Sequence, residues 1–436
     1  MKTVAFYTLG CKVNQYDTEA MAELFEKRGY KVVDSHEFAD IYVINTCTVT
    51  NLSDRKSRQF IRRAKKKNPK AKIVVAGCYA QTASEEVLKI EGVNLVIGTN
   101  KRNEIVELIE AIDIDEKANH VDNIMKIDEF EELSIEKIKG KTRAFLKIQE
   151  GCNQFCSYCI IPYARGPVRS RKFENIISEV KRLSNNGFKE IVLTGIHIAS
   201  YGKDLKDKNL IDVIKAVHDV EGIERIRLSS VEPNLITEKF IEEIKLLPKF
   251  CNHLHLSLQS GCDETLKRMS RKYTTEEYRN IVLNLRKAIP DIAITTDIIV
   301  GFPGETDEEF NTTCKFVKEI NFSQIHVFKY SPRKGTPAAK FKNQVHPNIK
   351  NLRSEKMIKI ADDLMLKYRK RFIDKTLDVL FEDRVNVNND KNIITGLTTN
   401  YINVAVEGNE DFVGKIIPVK LKKIKKDVII GEIINK

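Results

Sequence analysis

Three closely spaced cysteines constrain this chain more than any other feature. Cys152, Cys156 and Cys159 occur in a CxxxCxxC spacing directly after the apolar run 145–148. A strand that leads three thiols into one tight loop predicts an iron-sulfur site, because soft sulfur ligands suit iron and a short loop fixes their separation. Three thiolates would hold three irons of a 4Fe-4S cluster and leave the fourth iron open to a small molecule. The alternative is three unrelated cysteines buried as small apolar side chains.

The same loop contains Tyr158, and the segment GCNQFCSYC resembles the radical S-adenosylmethionine enzymes. In those enzymes the open iron binds the amino and carboxylate groups of S-adenosylmethionine. The resemblance therefore implies that S-adenosylmethionine is a cofactor of this chain, with Tyr158 in the loop that binds it.

Length and charge indicate several domains and a polyanionic partner. The chain has 436 residues, enough for about three domains on a rough rule of ~150 residues each. Lys and Arg number 73 against 61 Asp and Glu, and the net charge of +12 favours nucleic acid. An odd cysteine count and an amino terminus without a signal-peptide pattern predict reduced thiols in the cytoplasm. No apolar run reaches the ~18 residues needed to cross a bilayer, so no membrane insertion is expected.

Residues 1–113 predict a parallel α/β domain, because short apolar runs alternate with helical patterns. A cysteine comes just after three of these runs, at Cys11, Cys47 and Cys78. Ligands gather at the carboxyl ends of parallel strands, so the three thiols predict a second three-thiolate site built from distant loops. Taken singly, each cysteine is explained equally well as a small buried residue at a strand end.

The segments TLGCKVNQYD, NTCTVT, GCYAQ and GCNQFCSYCIIPYARG together resemble the radical methylthiotransferases, and the likeness runs the length of the chain. In that family three amino-terminal cysteines hold an auxiliary iron-sulfur cluster involved in sulfur donation. The resemblance assigns this role to Cys11, Cys47 and Cys78, and it implies a transferase with two 4Fe-4S clusters. It also implies that the partners are a tRNA anticodon loop and a reductase or flavodoxin-like electron donor, and that DNA is not a partner.

Residues 134–370 predict six βα units, in which the cysteine loop follows the first strand. Six units cannot close the eight-stranded barrel, so we expect a partial, laterally open (βα)6 barrel with its site at the carboxyl ends of the strands. Polar residues and glycine follow those strands, and the resemblance implies that these loops bind S-adenosylmethionine. The candidates are Thr194, Gly195, Ser230, Glu232, Gln259 and Asp297. Any one of them has the alternative role of ending a strand or forming a turn.

The remaining histidines and cysteines near these strands lack ligand spacing. We interpret them as structural: His197, His255, Cys251, Cys262 and Cys314.

Clustered cations predict RNA contact at several places. One group follows the cysteine loop and comprises Arg165, Arg169 and Arg171. The basic stretch 54–72 follows Cys47. Residues 372–436 contain five short β-branched runs, which predict a small antiparallel barrel similar to the RNA-binding TRAM domain. Its candidate RNA-binding cations are Lys422, Lys423, Lys425 and Lys426.

The segments TLGCKVN and CSYCIIPYARG are most similar to those of the family branch that acts on N6-threonylcarbamoyladenosine at tRNA position 37. This resemblance implies addition of a methylthio group to carbon 2 of the adenine. The alternatives within the family are the N6-isopentenyladenosine branch and a branch that modifies a ribosomal-protein aspartate. The alternatives outside it are a noncatalytic RNA-binding iron-sulfur protein and a radical enzyme without sulfur insertion.

Overall fold

The computed structural model describes residues 1–135, 142–387 and 391–434. Residues 136–141 of the predicted central domain, and 388–390 and 435–436 of the predicted carboxyl-terminal barrel, lie outside the described residues. Within the described ranges, no helix is both long and apolar enough to cross a bilayer.

The amino-terminal region forms a six-stranded sheet in which every strand pair is parallel. The strands are β1 (Thr3–Thr8), β2 (Lys31–Val33), β3 (Ile41–Thr46), β4 (Lys72–Gly77), β5 (Val93–Ile97) and β6 (Ala118–His120). Their order, β2-β1-β3-β4-β5-β6, places the strands that precede the three cysteines side by side. β3 and β5 are buried along their whole length, which explains their nearly continuous apolar sequences.

Five helices flank this sheet. They are α1 (Lys12–Lys27), α2 (Asn51–Lys67), α3 (Cys78–Thr82), α4 (Ser84–Leu88) and α5 (Ile105–Glu110). Cys11 directly precedes α1, Cys78 opens α3, and the Thr50 hydroxyl caps α2 by accepting from the Ser53 amide at 3.2 Å. Each cysteine therefore lies where a strand passes into a helix, as predicted.

The central region curves into an open barrel. Its strands are β7 (Arg143–Glu150), β8 (Arg169–Ser170), β9 (Glu190–Gly195), β10 (Arg225–Leu228), β11 (His253–His255), β12 (Ala293–Val300) and β13 (Gln324–Lys329). All pairs are parallel except that of the short β8 with β7. Isolated bridges link β10 and the residues after it to the β11 segment, so one arc runs from β7 to β13. The predicted partial (βα)6 barrel is confirmed.

The helices of this region cover the outside of the arc. They are α6 (Ile161–Arg165), α7 (Phe173–Asn185), α8 (Leu210–His218), α9 (Glu238–Lys245), α10 (Asp263–Arg268), α11 (Thr275–Ala288), α12 (Asp307–Ile320) and α13 (Pro347–Lys370). Capping boxes start α8, α11 and α12, which gives each helix a defined first turn. Alternate strand residues such as Leu146, Ile226 and Leu254 pack against these helices, so the side chains between them turn toward the barrel interior.

A small closed barrel ends the chain. Its strands are β14 (Thr376–Val387), β15 (Lys391–Thr398), β16 (Asn403–Glu407), β17 (Ile416–Lys425) and β18 (Val428–Ile433), in the order β14-β15-β16-β18-β17. The predicted barrel is confirmed, but it is not wholly antiparallel. Because β18 inserts between β16 and β17, it runs parallel to β16.

This carboxyl-terminal barrel packs against the amino-terminal ends of the central strands. The Arg225 guanidinium donates to the carbonyl oxygens of Leu397 and Asp378 at 2.8 and 2.9 Å. The buried ring of His253 stacks on Tyr401 with centroids 4.2 Å apart. Burial, reinforced by nearby Arg227, holds the pKa of His253 well below its usual value. The two barrels therefore meet around an uncharged histidine.

We expect this histidine to make the fold sensitive to acid. An unfolded chain protonates its histidines near a pKa of about 6.5. Folded His253 resists protonation because it is buried and because the positive charges of Arg227 and other nearby cations oppose a further one. Stability is therefore lost as pH falls below the unfolded pKa, by up to about 1.4 kcal/mol per pH unit for one proton. In urea denaturation between about pH 7.5 and pH 5.5, His253→Phe should lose less stability than the wild type.

The control is His36→Phe, because His36 is exposed. Its free energy of unfolding should follow the wild-type pH dependence. Equal pH dependence for His253→Phe and the wild type would contradict this interpretation of the interface.

Candidate active site

The cysteine loop after β7 is shaped by its backbone. Gly151 has a φ of +75°, and a Cβ at this position would lie 1.7 Å from the Pro167 carbonyl oxygen, so only glycine fits. The Cys152 amide donates to the Gly166 carbonyl at 3.0 Å, and the Cys159 amide donates to the Cys156 carbonyl at 2.9 Å. These bonds fold the loop back on itself and bring the three cysteines together.

The thiols of this loop are free and close enough to influence one another. Burial, with the neighbouring Cys156, raises the pKa of Cys159 to about 12. A guanidinium nitrogen of Arg271 lies 3.3 Å from the Cys156 sulfur. Because a thiolate cluster would carry negative charge at this position, Arg271 is placed to offset it.

The amino-terminal cysteines also converge. A Cβ on Gly10 would lie 3.0 Å from the Cβ of Cys47, so the loop that carries Cys11 touches the loop after β3. Burial raises the pKa of Cys47 to about 12, and the adjacent thiols of Cys78 and Cys11 reinforce the rise. The Arg165 guanidinium donates to the Cys78 sulfur at 3.3 Å. The predicted meeting of three distant loops is therefore present.

Both groups of thiols have the ligand chemistry of an iron-sulfur cluster. In residues 1–135, 142–387 and 391–434, no three His, Cys, Asp or Glu side chains converge tightly enough to hold one metal ion. The thiolates of a four-iron cluster bind different irons and stand around a larger centre. Each group supplies three free sulfurs, which match the donor set of such a cluster, and one adjacent arginine that can offset its negative charge.

One cavity of about 280 Å³ connects the two regions. Val49 and Thr50 line it from the segment after Cys47, and Cys159 lines it from the central loop. Asp297 and Phe328 line it from β12 and β13. The cavity thus has walls from both regions, with Cys159 among its lining residues and the segment that follows Cys47 on its other side.

A buried ion network holds the amino-terminal and central regions together. Asp17 of α1 accepts from Lys147 at 2.7 Å and from Arg165 at 3.1 Å, and it also pairs with Arg102. Glu150, at the end of β7, pairs with the same three cations, at 3.0 Å from Lys147 and 3.1 Å from Arg102. Burial opposes ionisation of Asp17, yet the three cations lower its pKa below the usual value. The two carboxylates therefore fix α1 to the strand that leads into the cysteine loop.

A second ion pair fixes the Cys47 loop to the other side of the central barrel. The Arg333 guanidinium lies 2.5 Å from both the Thr48 hydroxyl and the Asp54 carboxylate. Both Arg333 and Thr48 are buried. The amino-terminal region is therefore held to the central barrel at two places, by the ion network at β7 and by Arg333 beyond β13.

The three arginines predicted to bind RNA phosphates are buried instead. Arg165 is held by Asp17 and Glu150, and Arg171 pairs with Glu179 at 2.7 Å. Arg169 donates to the Arg165 carbonyl at 3.0 Å and is 3% exposed. This part of the RNA prediction is wrong, because the cations that follow the cysteine loop neutralise internal carboxylates. By contrast, the predicted cations of the carboxyl-terminal barrel are exposed: Lys422, Lys423, Lys425 and Lys426.

The predicted cofactor residues divide into two groups. Tyr158, Gln259 and Asp297 line the cavity. Thr194 is buried, and Gly195 lies against Gln149, where an added Cβ would come within 2.9 Å of the Gln149 side-chain oxygen.

The other two predicted residues, Ser230 and Glu232, follow β10. Ser230 is exposed. Glu232 is buried and accepts from the ring of His197 at 2.7 Å, while Arg271 lies 3.1 Å away. Although burial opposes it, the bond to His197 and the charge of Arg271 lower the pKa of Glu232.

Sequence reasoning missed the roles of His197 and Arg271. His197 comes two residues after the predicted Thr194-Gly195 pair, so its place at a strand end was a usable signal. Arg271 follows a helix with no recognisable spacing, and only the fold brings it to Cys156. Together they hold Glu232 beside the cysteine loop.

The ion network yields a stability prediction. Asp17→Asn removes one carboxylate that faces three buried cations, and an uncompensated buried charge costs about 3–5 kcal/mol. We expect a loss of this size in the free energy of unfolding, measured by urea denaturation. Asp207→Asn, at an exposed site, should leave it unchanged. Equal stability of the two variants would show that the network does not hold the regions together.

Comparison with known proteins agrees with this geometry. The Radical SAM superfamily matches residues 146–317, and Uncharacterized protein family UPF0004 matches residues 3–98. Threonylcarbamoyladenosine tRNA methylthiotransferase MtaB of Bacillus subtilis is 48% identical over 97% of this chain and 94% of its own length. The enzyme of the same name from Aquifex aeolicus is 42% identical over 95% of this chain and 99% of its length. The tRNA-2-methylthio-N(6)-dimethylallyladenosine synthase of Clostridium tetani is 38% identical over 98% of this chain and 95% of its own length.

Solved structures support the fold. The radical S-adenosylmethionine methyltransferase TsrM of Kitasatospora setae aligns with a TM-score of 0.58 over 78% of this chain and 77% of its own. At 16% identity this likeness concerns architecture alone. The sequence identities to the two MtaB enzymes, in contrast, extend over nearly the whole chain. The protein therefore belongs to the radical S-adenosylmethionine methylthiotransferase family.

Proposed function

We propose that the protein adds a methylthio group to carbon 2 of N6-threonylcarbamoyladenosine at position 37 of tRNA, in the cytoplasm. The observation that carries this proposal is one cavity that is lined by Cys159 of the central cysteine loop and by Val49 and Thr50, which follow Cys47. A reaction that joins cofactor cleavage to sulfur insertion needs both centres beside a single substrate atom.

The choice of substrate rests on the relatives. Two relatives named as acting on threonylcarbamoyladenosine are 48% and 42% identical to this chain, and a third, from Thermotoga maritima, is 37% identical. The Clostridium tetani enzyme named for dimethylallyladenosine is 38% identical. The second of these substrates remains the competing candidate within the family. The positive net charge is compatible with either tRNA.

Six cysteines would hold the two clusters in this proposal. Cys152, Cys156 and Cys159 would bind the cluster that takes S-adenosylmethionine, and the auxiliary ligands would be Cys11, Cys47 and Cys78. When bound, these groups supply reductive cofactor cleavage, hydrogen abstraction from an unreactive carbon, sulfur and a methyl group.

The role of the protein is to orient these groups and exclude water. Arg271 and Arg165 each place a guanidinium 3.3 Å from one cysteine sulfur, which fixes that side chain and balances its charge. Tyr158, Gln259 and Asp297 present polar groups to the cavity, where we assign them to S-adenosylmethionine. We assign Glu232, which follows the carboxyl end of β10, to S-adenosylmethionine as well.

The surface offers features that suit a tRNA anticodon loop. Exposed arginines of α2, including Arg62 and Arg63, follow the Cys47 loop. The rings of Phe155 and Tyr163 are 43% and 40% exposed beside the central cysteines, with centroids 5.8 Å apart. Unpaired bases stack on such rings, while cations bind the phosphates. A reductase or flavodoxin-like protein completes the proposed set of partners as electron donor.

The test is an anaerobic assay with reductant, S-adenosylmethionine and tRNA, followed by mass spectrometry of the nucleosides. Cys156→Ala should abolish 5′-deoxyadenosine formation, whereas Cys11→Ala should retain it and lose the methylthio product. The matched control is Cys314→Ala, a buried cysteine on α12 outside both groups, which should retain both.

The outcomes separate the alternatives. A noncatalytic RNA-binding protein would form no 5′-deoxyadenosine, and a radical enzyme without sulfur insertion would form it without methylthio product. Unchanged product from Cys11→Ala would contradict the auxiliary assignment. Mass spectrometry of tRNA from a deletion strain identifies the modified nucleoside, and loss of the methylthio group from dimethylallyladenosine alone would overturn the proposed substrate.

A further inference from the structure

The interior of the central barrel carries charged side chains at several levels. Strand residues that alternate with the packed core point inward. They include Phe145 on β7, Arg227 on β10, His255 on β11 and Asp297 on β12. The interior is therefore polar below the cavity and offers groups for ligand recognition.

Most of these interior charges are already compensated. Arg227 donates to Glu190 at 2.7 Å, and Arg143 pairs with Glu382 while lying 3.8 Å from Glu190. The ring of His255 lies 3.3 Å from the Asp297 carboxylate. Each arginine thus has a carboxylate within reach, and the carboxylate of Asp297 is shared with a histidine.

Lys12 differs from these residues. It is the first residue of α1, and its half-buried side chain reaches over the Phe145 ring, with the ammonium 5.9 Å from the ring centroid. Throughout the described part of the chain, the Lys12 ammonium has neither an ion pair nor a hydrogen bond.

The nearest charges that act on Lys12 are Arg143, Arg227 and the Glu190 carboxylate, which already pairs with Arg227. Because Arg143 pairs with Glu382, three cations face two carboxylates here. The excess positive charge in a partly desolvated setting favours an anion supplied by a ligand.

The surroundings connect Lys12 to the cavity. His326 on β13 is exposed to the interior, pairs in register with Asp297 and stacks on His255 with centroids 5.9 Å apart. Lys12 is close enough to His326 to affect it electrostatically. Asp297 lines the cavity itself. An anionic group that extends from a substrate in the cavity toward β13 would therefore meet Lys12 and His326.

We propose that Lys12, with His326 beside it, binds a carboxylate that enters the barrel interior, and that this carboxylate is the threonyl carboxylate of the modified adenosine. The assignment rests on the proposed function. In the proposed substrate the carboxylate is attached to the base itself, whereas the phosphates lie on the tRNA backbone, so the carboxylate is the anion that would follow a flipped-out base into the barrel. Lys12 then selects the threonylcarbamoyl group over an uncharged dimethylallyl group, which leaves the ammonium unpaired.

The experiment compares anticodon stem-loops that differ only at position 37. One carries N6-threonylcarbamoyladenosine, the second its threonyl methyl ester, and the third N6-dimethylallyladenosine. Dissociation constants are measured anaerobically by fluorescence anisotropy for the reconstituted wild type, Lys12→Gln, Lys12→Arg and the exposed-site control Lys206→Gln.

We expect the wild type and Lys206→Gln to bind the free acid about tenfold or more tightly than the ester, as a desolvated charge pair allows. Lys12→Gln should bring this ratio close to one, and Lys12→Arg should preserve most of it. The acid and the ester are compared on the same protein preparation. A change in iron content caused by a substitution next to Cys11 therefore affects both dissociation constants alike and cancels from their ratio. An unchanged ratio in Lys12→Gln would overturn the proposal.

S-adenosylmethionine is the other source of a carboxylate, and the same variants distinguish it. If Lys12 bound the methionine carboxylate, Lys12→Gln would weaken S-adenosylmethionine binding in equilibrium dialysis and leave the acid-to-ester ratio intact, which contradicts the inference. Failure of the proposed function is separately visible, because the wild type would then methylthiolate only the dimethylallyl stem-loop. Equal modification and binding of acid and ester by the wild type would refute the role of Lys12 alone.

Discussion

The buried pairing of Asp17 and Glu150 with three cations is the interaction on which the rest of this structure depends. It joins α1, which starts beside Cys11, to β7, which ends beside Cys152. Ion pairs this deeply buried contribute little net stability compared with apolar packing, but they are strongly directional. Their effect here is to define one relative position of the two regions, and hence of their cysteines.

That fixed position has a chemical consequence. Two iron centres are useful to one reaction only if the same substrate atom lies between them, and an offset of about 1 Å is enough to reduce rates greatly. The contacts of Arg333 with Thr48 and Asp54 lie on the opposite side of the cavity and also limit movement of one region relative to the other. The cavity between these two contacts is lined by residues of both regions, so movement of one region against the other would change its walls.

Sequence patterns revealed the architecture because it depends on local periodicity. Apolar runs located the strands and helical spacing located the helices, and the cysteines at three strand ends indicated a common edge. The patterns failed for Arg165, because a cation-rich segment looks the same whether its charges face water or internal carboxylates. They also gave no sign of Lys12 or Arg271 as site residues, since their significance comes from side chains far away in the sequence.

The central claim is that six cysteines build two iron centres facing one chamber. Electron paramagnetic resonance of the reduced, reconstituted protein tests it directly, because two paramagnetic clusters across a shared cavity interact magnetically. We predict about eight irons per chain and a spectrum broadened by spin–spin interaction, which simplifies to one isolated centre when Cys11, Cys47 and Cys78 are all replaced by alanine. A content of about four irons, or two centres without interaction, would contradict the account.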